Sequence, residues 1–175
     1  MVGTTGSGKT TLARALAAAY GIPHTPLDDL YHQPGWQRTP SAEFIAAVDR
    51  ATTGPAWAVD GNYREVRELI WTRATHVIWI DLPLLLTLRQ MLQRVWLDWR
   101  WKRPTCNGNQ QSWRAVFIGH EGLFWWLLTT YHRRKRQYES MFADPQWEGR
   151  ERIRLRSRRE IAALAKRHGA TLTTD

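Results

Sequence analysis

The residues best suited to chemistry lie at the start of the chain, where glycines, threonines and one lysine follow one another at fixed spacing. The run fits the pattern G-x-x-x-x-G-K-[ST] at every specified position. Glycines let successive main-chain N–H groups turn inward around an anion, and a helix beginning near Lys9 points its positive end at the same place. The pattern predicts a loop that binds two phosphates, formed by Gly3, Thr4, Thr5, Gly6, Ser7, Gly8, Lys9, Thr10 and Thr11.

Two side chains of this loop have distinct expected roles. Lys9 reaches the β- and γ-phosphoryl oxygens of a nucleoside triphosphate, and the Thr10 hydroxyl is a hard oxygen ligand of the kind that Mg²⁺ prefers. We therefore expect ATP and Mg²⁺ as cofactors. The alternative is a glycine-rich turn before an ordinary helix, and the length and placement of the motif favour the phosphate site.

Acidic residues follow two predicted strands, over residues 24–27 and 56–59. Open α/β sheets bind ligands at the carboxyl ends of their strands, so both acids are expected near the phosphates. Asp60 is predicted to face Mg²⁺ through water. Asp28 is predicted to orient an acceptor hydroxyl or a metal-bound water, and capping of the helix that follows it is an equally open alternative.

Candidate acceptor contacts lie in two further segments. The Pro- and Gly-containing loop over residues 32–40 carries Trp36 and Arg38 as ligand contacts. Asp60-Gly61 is also a common hairpin turn, but the apolar residues over 63–71 have helical spacing. Arg64 and Arg67 are then expected at the amino end of a helix, where they hold a second phosphate.

The segment over residues 83–138 is predicted to be a basic helical lid inserted in the sheet domain. Residues 82–138 include ten Lys and Arg residues but only two acidic residues, and six of the eleven tryptophans fall between 96 and 126. Stacking of nucleic-acid bases is one interpretation, but the aromatics follow the helical stripe and favour a small core that includes Trp96 and Trp99. Consecutive charges encircle a helix, so at most two of the charges over residues 133–136 can face one ligand. A solvated helix end is favoured over a DNA-binding patch, and one or two arginines, Arg133 and Arg134, are expected to close onto a phosphoryl group.

Alternating strands and helices predict one domain over residues 1–175, an α/β fold with a doubly wound, mostly parallel sheet. Only two residues precede Gly3, where about five apolar strand residues are normal. We expect a sheet that lacks its middle strand, with unpaired neighbouring edges and reduced stability.

The composition of the chain limits the kinds of partner, cross-link and membrane segment that it can have. The chain has 175 residues and a formal net charge of +9, which implies anionic partners. Its single cysteine excludes an internal disulfide, its six histidines show no paired metal spacing, and its apolar runs are too short to span a bilayer. We expect a cytoplasmic protein that is a monomer or a weak dimer.

Taken together, the phosphate loop, the turn from Asp60 to Arg64 and the helix carrying Arg94 resemble the adenylate kinase and shikimate kinase branch of phosphate-loop proteins. The resemblance implies that Arg64 holds an acceptor phosphate, that Arg94 lies near the adenine, and that the exit of the last strand at Arg156 approaches the base. Over most of its length the chain is similar to the small kinase-like proteins called DNA topology modulation proteins. That likeness involves residues 59–63, 107–109, 130–134 and 155–157.

The leading functional prediction is an ATP-dependent phosphotransferase that acts on a nucleotide or a small hydroxyl compound. Asp28, Asp60, Lys9 and the two lid arginines are its predicted catalytic groups. The alternative is an ATP-binding regulator or slow ATPase associated with nucleic acid, and a nucleotide binder without catalysis is a third.

Overall fold

The computed structural model describes residues 1–101, 106–109 and 123–172. Within these ranges no helix is both long enough and apolar enough to cross a bilayer. The strands are β1 Val2–Gly3, β2 His24–Pro26, β3 Ala58–Asp60, β4 His76–Ile80 and β5 Glu151–Leu155. The α-helices are α1 Lys9–Tyr20, α2 Leu27–Tyr31, α3 Ser41–Ala51, α4 Arg64–Arg73, α5 Leu84–Trp101, α6 Leu123–Ala143 and α7 Arg158–Arg167.

The strands form two parallel ladders, β2–β3 and β1–β4–β5. The main chain of Met1 joins them, because its nitrogen donates to the Val59 carbonyl at 2.5 Å and its carbonyl accepts from the Gly61 N–H at 3.1 Å. The ladders therefore lie side by side in the order β2–β3–β1–β4–β5. The chain is an α/β protein with a mostly parallel sheet, as the alternating elements predict.

The middle strand β1 is short but present. Val2 pairs with Trp79 and Gly3 with Ile80, whereas β5 pairs with all five residues of β4. The prediction that the sheet lacks its middle strand is therefore wrong, because a two-residue strand is present and pairs with β4. Two residues suffice to bring the start of the glycine-rich loop to the carboxyl end of β4.

Helices cover the sheet on both faces, because successive side chains of β4 alternate between two buried clusters. Val77 and Trp79 belong to one buried cluster, and Ile78 and Ile80 belong to another. The first cluster contains side chains from α3, α4 and α6, and the second contains side chains from α1 and α7. Both faces of β4 are thus buried, which leaves the carboxyl ends of the strands to form a site.

Helices α5 and α6 pack through a small cluster of Met91, Val95, Leu127 and Tyr131. The predicted inward stripe on α5 extends too far, because Trp96 is 57% exposed and Trp99 is 55% exposed. Each helical residue advances the side chain by about 100°, so Trp96 points well away from the face that carries Val95.

The predicted lid is joined to the sheet domain at its far end. Helix α6 runs five residues beyond the predicted end at Tyr138, and Tyr138 is buried in the sheet core against Trp79, with ring centroids 5.4 Å apart. The predicted start of this helix, at residue 112 or 113, lies outside the described residues. The end of the predicted lid therefore packs against the sheet, next to the loop that follows β1.

Candidate phosphate-binding site

The loop between β1 and α1 is shaped by close packing against its neighbours. A Cβ on Gly3, whose φ is +149°, would lie 2.6 Å from the Ile80 carbonyl oxygen. A Cβ on Gly6, at φ +79°, would lie 3.0 Å from the Met91 Cβ and 3.1 Å from the Thr87 carbonyl oxygen. Because a side chain would collide at Gly3 and crowd α5 at Gly6, glycine is needed for the loop to lie this close to β4 and α5.

The interior of the loop has polar groups suited to an anion. Helix α1 begins directly after Gly8, which has φ +89°, and the helix contributes the positive end of its dipole. Ser7 is 1% exposed, and its hydroxyl has no hydrogen-bond partner among the described residues. A buried hydroxyl without a partner is costly, and a phosphoryl oxygen would satisfy it. The donor set of the loop therefore fits a phosphate group.

The ammonium group of Lys9 is turned into this loop, where it donates to the Thr4 carbonyl at 2.9 Å. Burial lowers the pKa of Lys9, the two nearby carboxylates oppose this effect, and two arginines add to it. The charges that act on Lys9 in this way belong to Asp60, Asp28, Arg94 and Arg134. Four residues singled out from the sequence are thus within electrostatic range of the Lys9 ammonium.

Asp60 is the best-connected acid of the site. Its Oδ1 accepts a hydrogen bond from the Thr10 hydroxyl at 2.8 Å, and its Oδ2 lies 2.8 Å from His24 Nε2. Burial alone would raise the pKa of Asp60, but the His24 hydrogen bond, the Lys9 charge and the Thr10 hydrogen bond outweigh it, so the pKa is lowered. Asp60 is therefore ionised at neutral pH.

The same pair fits Mg²⁺ bound together with a nucleotide. Among the described residues, no group of three or more His, Cys, Asp or Glu side chains could hold a metal ion without other ligands. Mg²⁺ keeps several waters and is usually bound by one or two protein groups plus phosphate oxygens. Thr10 would be the direct protein ligand, and Asp60 would hold a coordinated water.

Asp28 lies in the first turn of α2, and its Oδ1 accepts a hydrogen bond from the Tyr63 hydroxyl at 2.5 Å. The helix cap is Pro26, so the capping alternative for Asp28 is not what the structure shows. Asp29, which the sequence analysis did not single out, lies close by. Burial raises the pKa of Asp29, and the charges of Asp28 and Asp60 raise it further.

Hydrogen bonds of Tyr138, a residue of α6, connect the loop to the residues that precede α4. The Tyr138 hydroxyl donates to the Gly3 carbonyl at 3.4 Å and accepts from Asn62 Nδ2 at 2.9 Å. Asn62 Oδ1 in turn accepts from Arg67 Nε at 3.2 Å. Burial raises the pKa of Tyr138, with the Arg134 charge acting in the opposite direction, so the hydroxyl stays protonated at neutral pH.

Arg67 and Arg134 belong to one cationic cluster with Arg64. Burial lowers the pKa of Arg67, the Tyr138 side chain opposes this, and the charges of Arg64 and Arg134 lower it further. Because the charges of Arg64 and Arg134 disfavour the charged form of Arg67, an anionic ligand bound here would relieve their repulsion.

Other predicted contacts lie at the protein surface. Arg38, Arg133 and Arg156 are exposed, and the main-chain N–H of Arg156 donates to Glu160 at 2.7 Å. Helical rotation separates Arg133 from Arg134 by about 100°, and of the two it is Arg134 whose charge acts on Lys9. Trp36 is 43% exposed, and its main-chain N–H donates to Asn109 Oδ1 at 3.2 Å.

Comparison of the chain with models of known protein families and with curated proteins found no match. A function is therefore inferred from the geometry of the site. His24, Asn62 and Tyr138 are polar partners that sequence reasoning missed. His24 lies 36 positions from Asp60, and Tyr138 lies 76 positions from Asn62 and 135 from Gly3. Only the parallel pairing of β2 and β3 could have placed His24 beside Asp60.

Substitution of Tyr138 by phenylalanine should destabilise the protein by about 1–2 kcal/mol, because the Gly3 carbonyl and the Asn62 amide both lose a buried partner. Urea unfolding at pH 7 measures the change. Tyr20→Phe is the matched control, since the Tyr20 hydroxyl contacts His168 at the exposed surface. Equal stability of the two variants would show that the buried hydroxyl does not hold the loop.

Proposed function

We propose that this protein is an ATP-dependent phosphotransferase that uses Mg²⁺ and transfers the γ-phosphoryl group to a small acceptor that carries an anionic group. The observation that supports this most directly is the contact between the Thr10 hydroxyl and Asp60 at the mouth of a loop that also contains Lys9. A triphosphate with its divalent ion needs one group of each kind: an ammonium, a hydroxyl and a nearby carboxylate.

Each side chain has a defined role in this proposal. Lys9 leaves the Thr4 carbonyl and binds phosphoryl oxygens, while the main-chain amides of the loop bind the same phosphates. Bound Mg²⁺ neutralises phosphate charge. Asp28, held by Tyr63 through one oxygen, accepts a hydrogen bond from the acceptor hydroxyl through the other and so orients it toward the γ-phosphorus.

The cationic cluster of Arg64, Arg67 and Arg134 supports an anionic acceptor. In this proposal Lys9 and Arg94 act on the donor phosphates, and the cluster binds the anionic group of the acceptor. The charge of Arg134 acts on both Lys9 and Arg67, and we propose that this side chain contacts both donor and acceptor. An arginine in that position stabilises charge on the transferred phosphoryl group.

An acceptor panel tests the proposed reaction. Nucleoside monophosphates and small alcohols are incubated with Mg-ATP, and ADP release is compared with the acceptor-free rate. We expect a phosphorylated acceptor to raise the rate most. If no acceptor raises ADP release from folded protein, the proposed reaction is wrong.

Substitution of single arginines in the cluster tests whether they bind the acceptor. Arg67→Gln and Arg134→Gln should each raise the KM of the acceptor about tenfold, which is the scale of one charged hydrogen bond, with the KM of ATP changed less for Arg67→Gln. Arg136→Gln, an exposed position on the same helix, is the matched control and should behave as wild type. Equal effects of Arg134→Gln and Arg136→Gln would show that the site does not depend on which face of α6 carries the charge.

A second function, binding of nucleic acid, is favoured by the exposed aromatic side chains of α5. Trp96, Trp99 and Trp101 are each more than half exposed, and the Arg100 guanidinium lies 5.0 Å from the centre of the Trp101 ring. Exposed aromatic rings can stack on bases. Affinity for single-stranded DNA that falls steeply between about 50 and 200 mM salt and survives Lys9→Ala would support it.

A further inference from the structure

The six histidines of this chain have no metal-binding spacing, yet His24 lies inside the site. It is the first residue of β2, its side chain is 11% exposed, and its Nε2 lies 2.8 Å from Asp60 Oδ2. The other oxygen of the same carboxylate accepts from the Thr10 hydroxyl at 2.8 Å. Asp60 is thus held by one partner on each oxygen.

The direction of the His24 hydrogen bond follows from the charge of its partner. Asp60 is ionised at neutral pH and has no proton to donate, so its two oxygens act as acceptors. His24 must therefore carry its hydrogen on Nε2. This bond fixes the plane of the carboxylate, because rotation would move Oδ1 away from Thr10 as well as Oδ2 away from His24.

The strand register explains how two residues 36 positions apart meet. His24 pairs with Ala58 and Pro26 pairs with Asp60 in the parallel β2–β3 ladder. Side chains two residues apart in a strand point to the same face, so His24 and Asp60 share the face on which α1 presents Thr10. The imidazole is long enough to reach the carboxylate diagonally.

We propose that His24 is a positioning residue of the Mg-nucleotide site: it holds the Asp60 carboxylate so that the Thr10 hydroxyl donates to Asp60 and keeps its lone pairs for the cation. This inference rests on the proposed function. Groups that orient metal ligands without touching the metal typically account for about 10–100-fold in metal affinity.

A similar pair elsewhere in the protein serves as a control. His76 Nε2 lies 3.1 Å from Glu151 Oε2, and the two residues are register partners at the amino ends of β4 and β5. Both side chains are more than half exposed, and they lie at the opposite end of the strands from the phosphate loop. Loss of this pair removes a histidine–carboxylate contact without touching the site.

Calorimetric titration of ATP, in Mg²⁺ and in EDTA, tests the inference on four variants. His24→Leu removes the donor, His24→Asn keeps a polar group that is too short to reach, His24→Gln replaces Nε2–H with an amide N–H, and His76→Leu is the control. We expect His24→Leu and His24→Asn to weaken ATP binding in Mg²⁺ by about 10–100-fold with little change in EDTA. We expect His24→Gln to restore most of the affinity and His76→Leu to match wild type.

The contrary results are distinct. If wild type binds no Mg-ATP, the proposed function fails and this inference fails with it. If wild type binds Mg-ATP and His24→Asn binds it equally well, only the role of His24 is wrong. If His24→Gln is as weak as His24→Asn, or if the loss is the same in EDTA, the residue acts through packing and does not position the metal ligands.

Discussion

Lys9→Met is expected to weaken Mg-ATP binding by about 10- to 100-fold while leaving the folded protein at least as stable as wild type. The loss follows from removal of a charged donor to the phosphoryl oxygens, worth about 1.5–3 kcal/mol. The stability follows from the lowered pKa of Lys9, which shows that burial disfavours its charged form on folding despite the nearby carboxylates. Methionine keeps the volume of the stem and removes the buried charge.

Calorimetry measures the affinity of the Lys9 variant, and thermal unfolding at pH 7 measures its stability. Lys166→Met is the matched control, because Lys166 is exposed in the last turn of α7. A Lys9 variant that binds Mg-ATP like the Lys166 variant would show that the ammonium has no part in nucleotide binding. A variant that unfolds well below wild type would contradict the inferred cost of burying the charge.

Asp60→Asn is expected to lower the free energy of unfolding by about 1–3 kcal/mol at pH 7 and to remove most of the Mg²⁺ dependence of ATP binding. An asparagine can accept from Thr10 or from His24 but would present its amide donor to the other. The substitution also removes the negative charge that stabilises the charged form of Lys9. Both losses fall on the same buried position, which is 5% exposed.

The pH dependence of this difference has a defined sign. The pKa of Asp60 is lowered from its ordinary value of 3.8, so the folded state binds the proton less tightly than the unfolded state. The stability that the ionised carboxylate contributes is present above pH 3.8 and is lost as the pH falls through the lower, folded-state pKa. Urea unfolding of wild type and Asp60→Asn should therefore converge at low pH.

Asp49→Asn is the control for that experiment, since Asp49 pairs with Arg73 at 2.7 Å but is 49% exposed. Exposed pairs contribute little, about 0–1 kcal/mol. A gap between wild type and Asp60→Asn that stays constant down to low pH would show that the carboxylate is not stabilised in its ionised form.

The elements that the sequence predicts best are those with strong local signals. The helix after the glycine-rich loop begins at Lys9, as the sequence predicts, and β4 is buried on both faces, as is typical of a strand whose residues are nearly all apolar. The tryptophans of α5 show the limit of that reasoning. Spacing alone assigns Trp96 and Trp99 to a core, but whether a helix face is buried depends on where its partner helix lies.

The residues of the candidate site likewise fall into two groups, those that local sequence signals predict and those whose contacts depend on the fold. Lys9, Thr10 and Asp60 are identified by a motif and by the end of a strand, both of which are local. The contacts of His24 and Tyr138 depend on strand register and on the seating of α6, which bring together residues 36 and 135 positions apart. The choice of Arg134 over Arg133 depends on the rotation of one helix, and a run of like charges carries no sign of it.

Every proposed role depends on nucleotide binding, which calorimetric titration of Mg-ATP into the folded wild-type protein measures. We expect saturable binding at one site, weakened when EDTA removes Mg²⁺ and when Lys9 is replaced by methionine. The absence of any heat of binding, from protein shown to be folded by its cooperative unfolding, would contradict it.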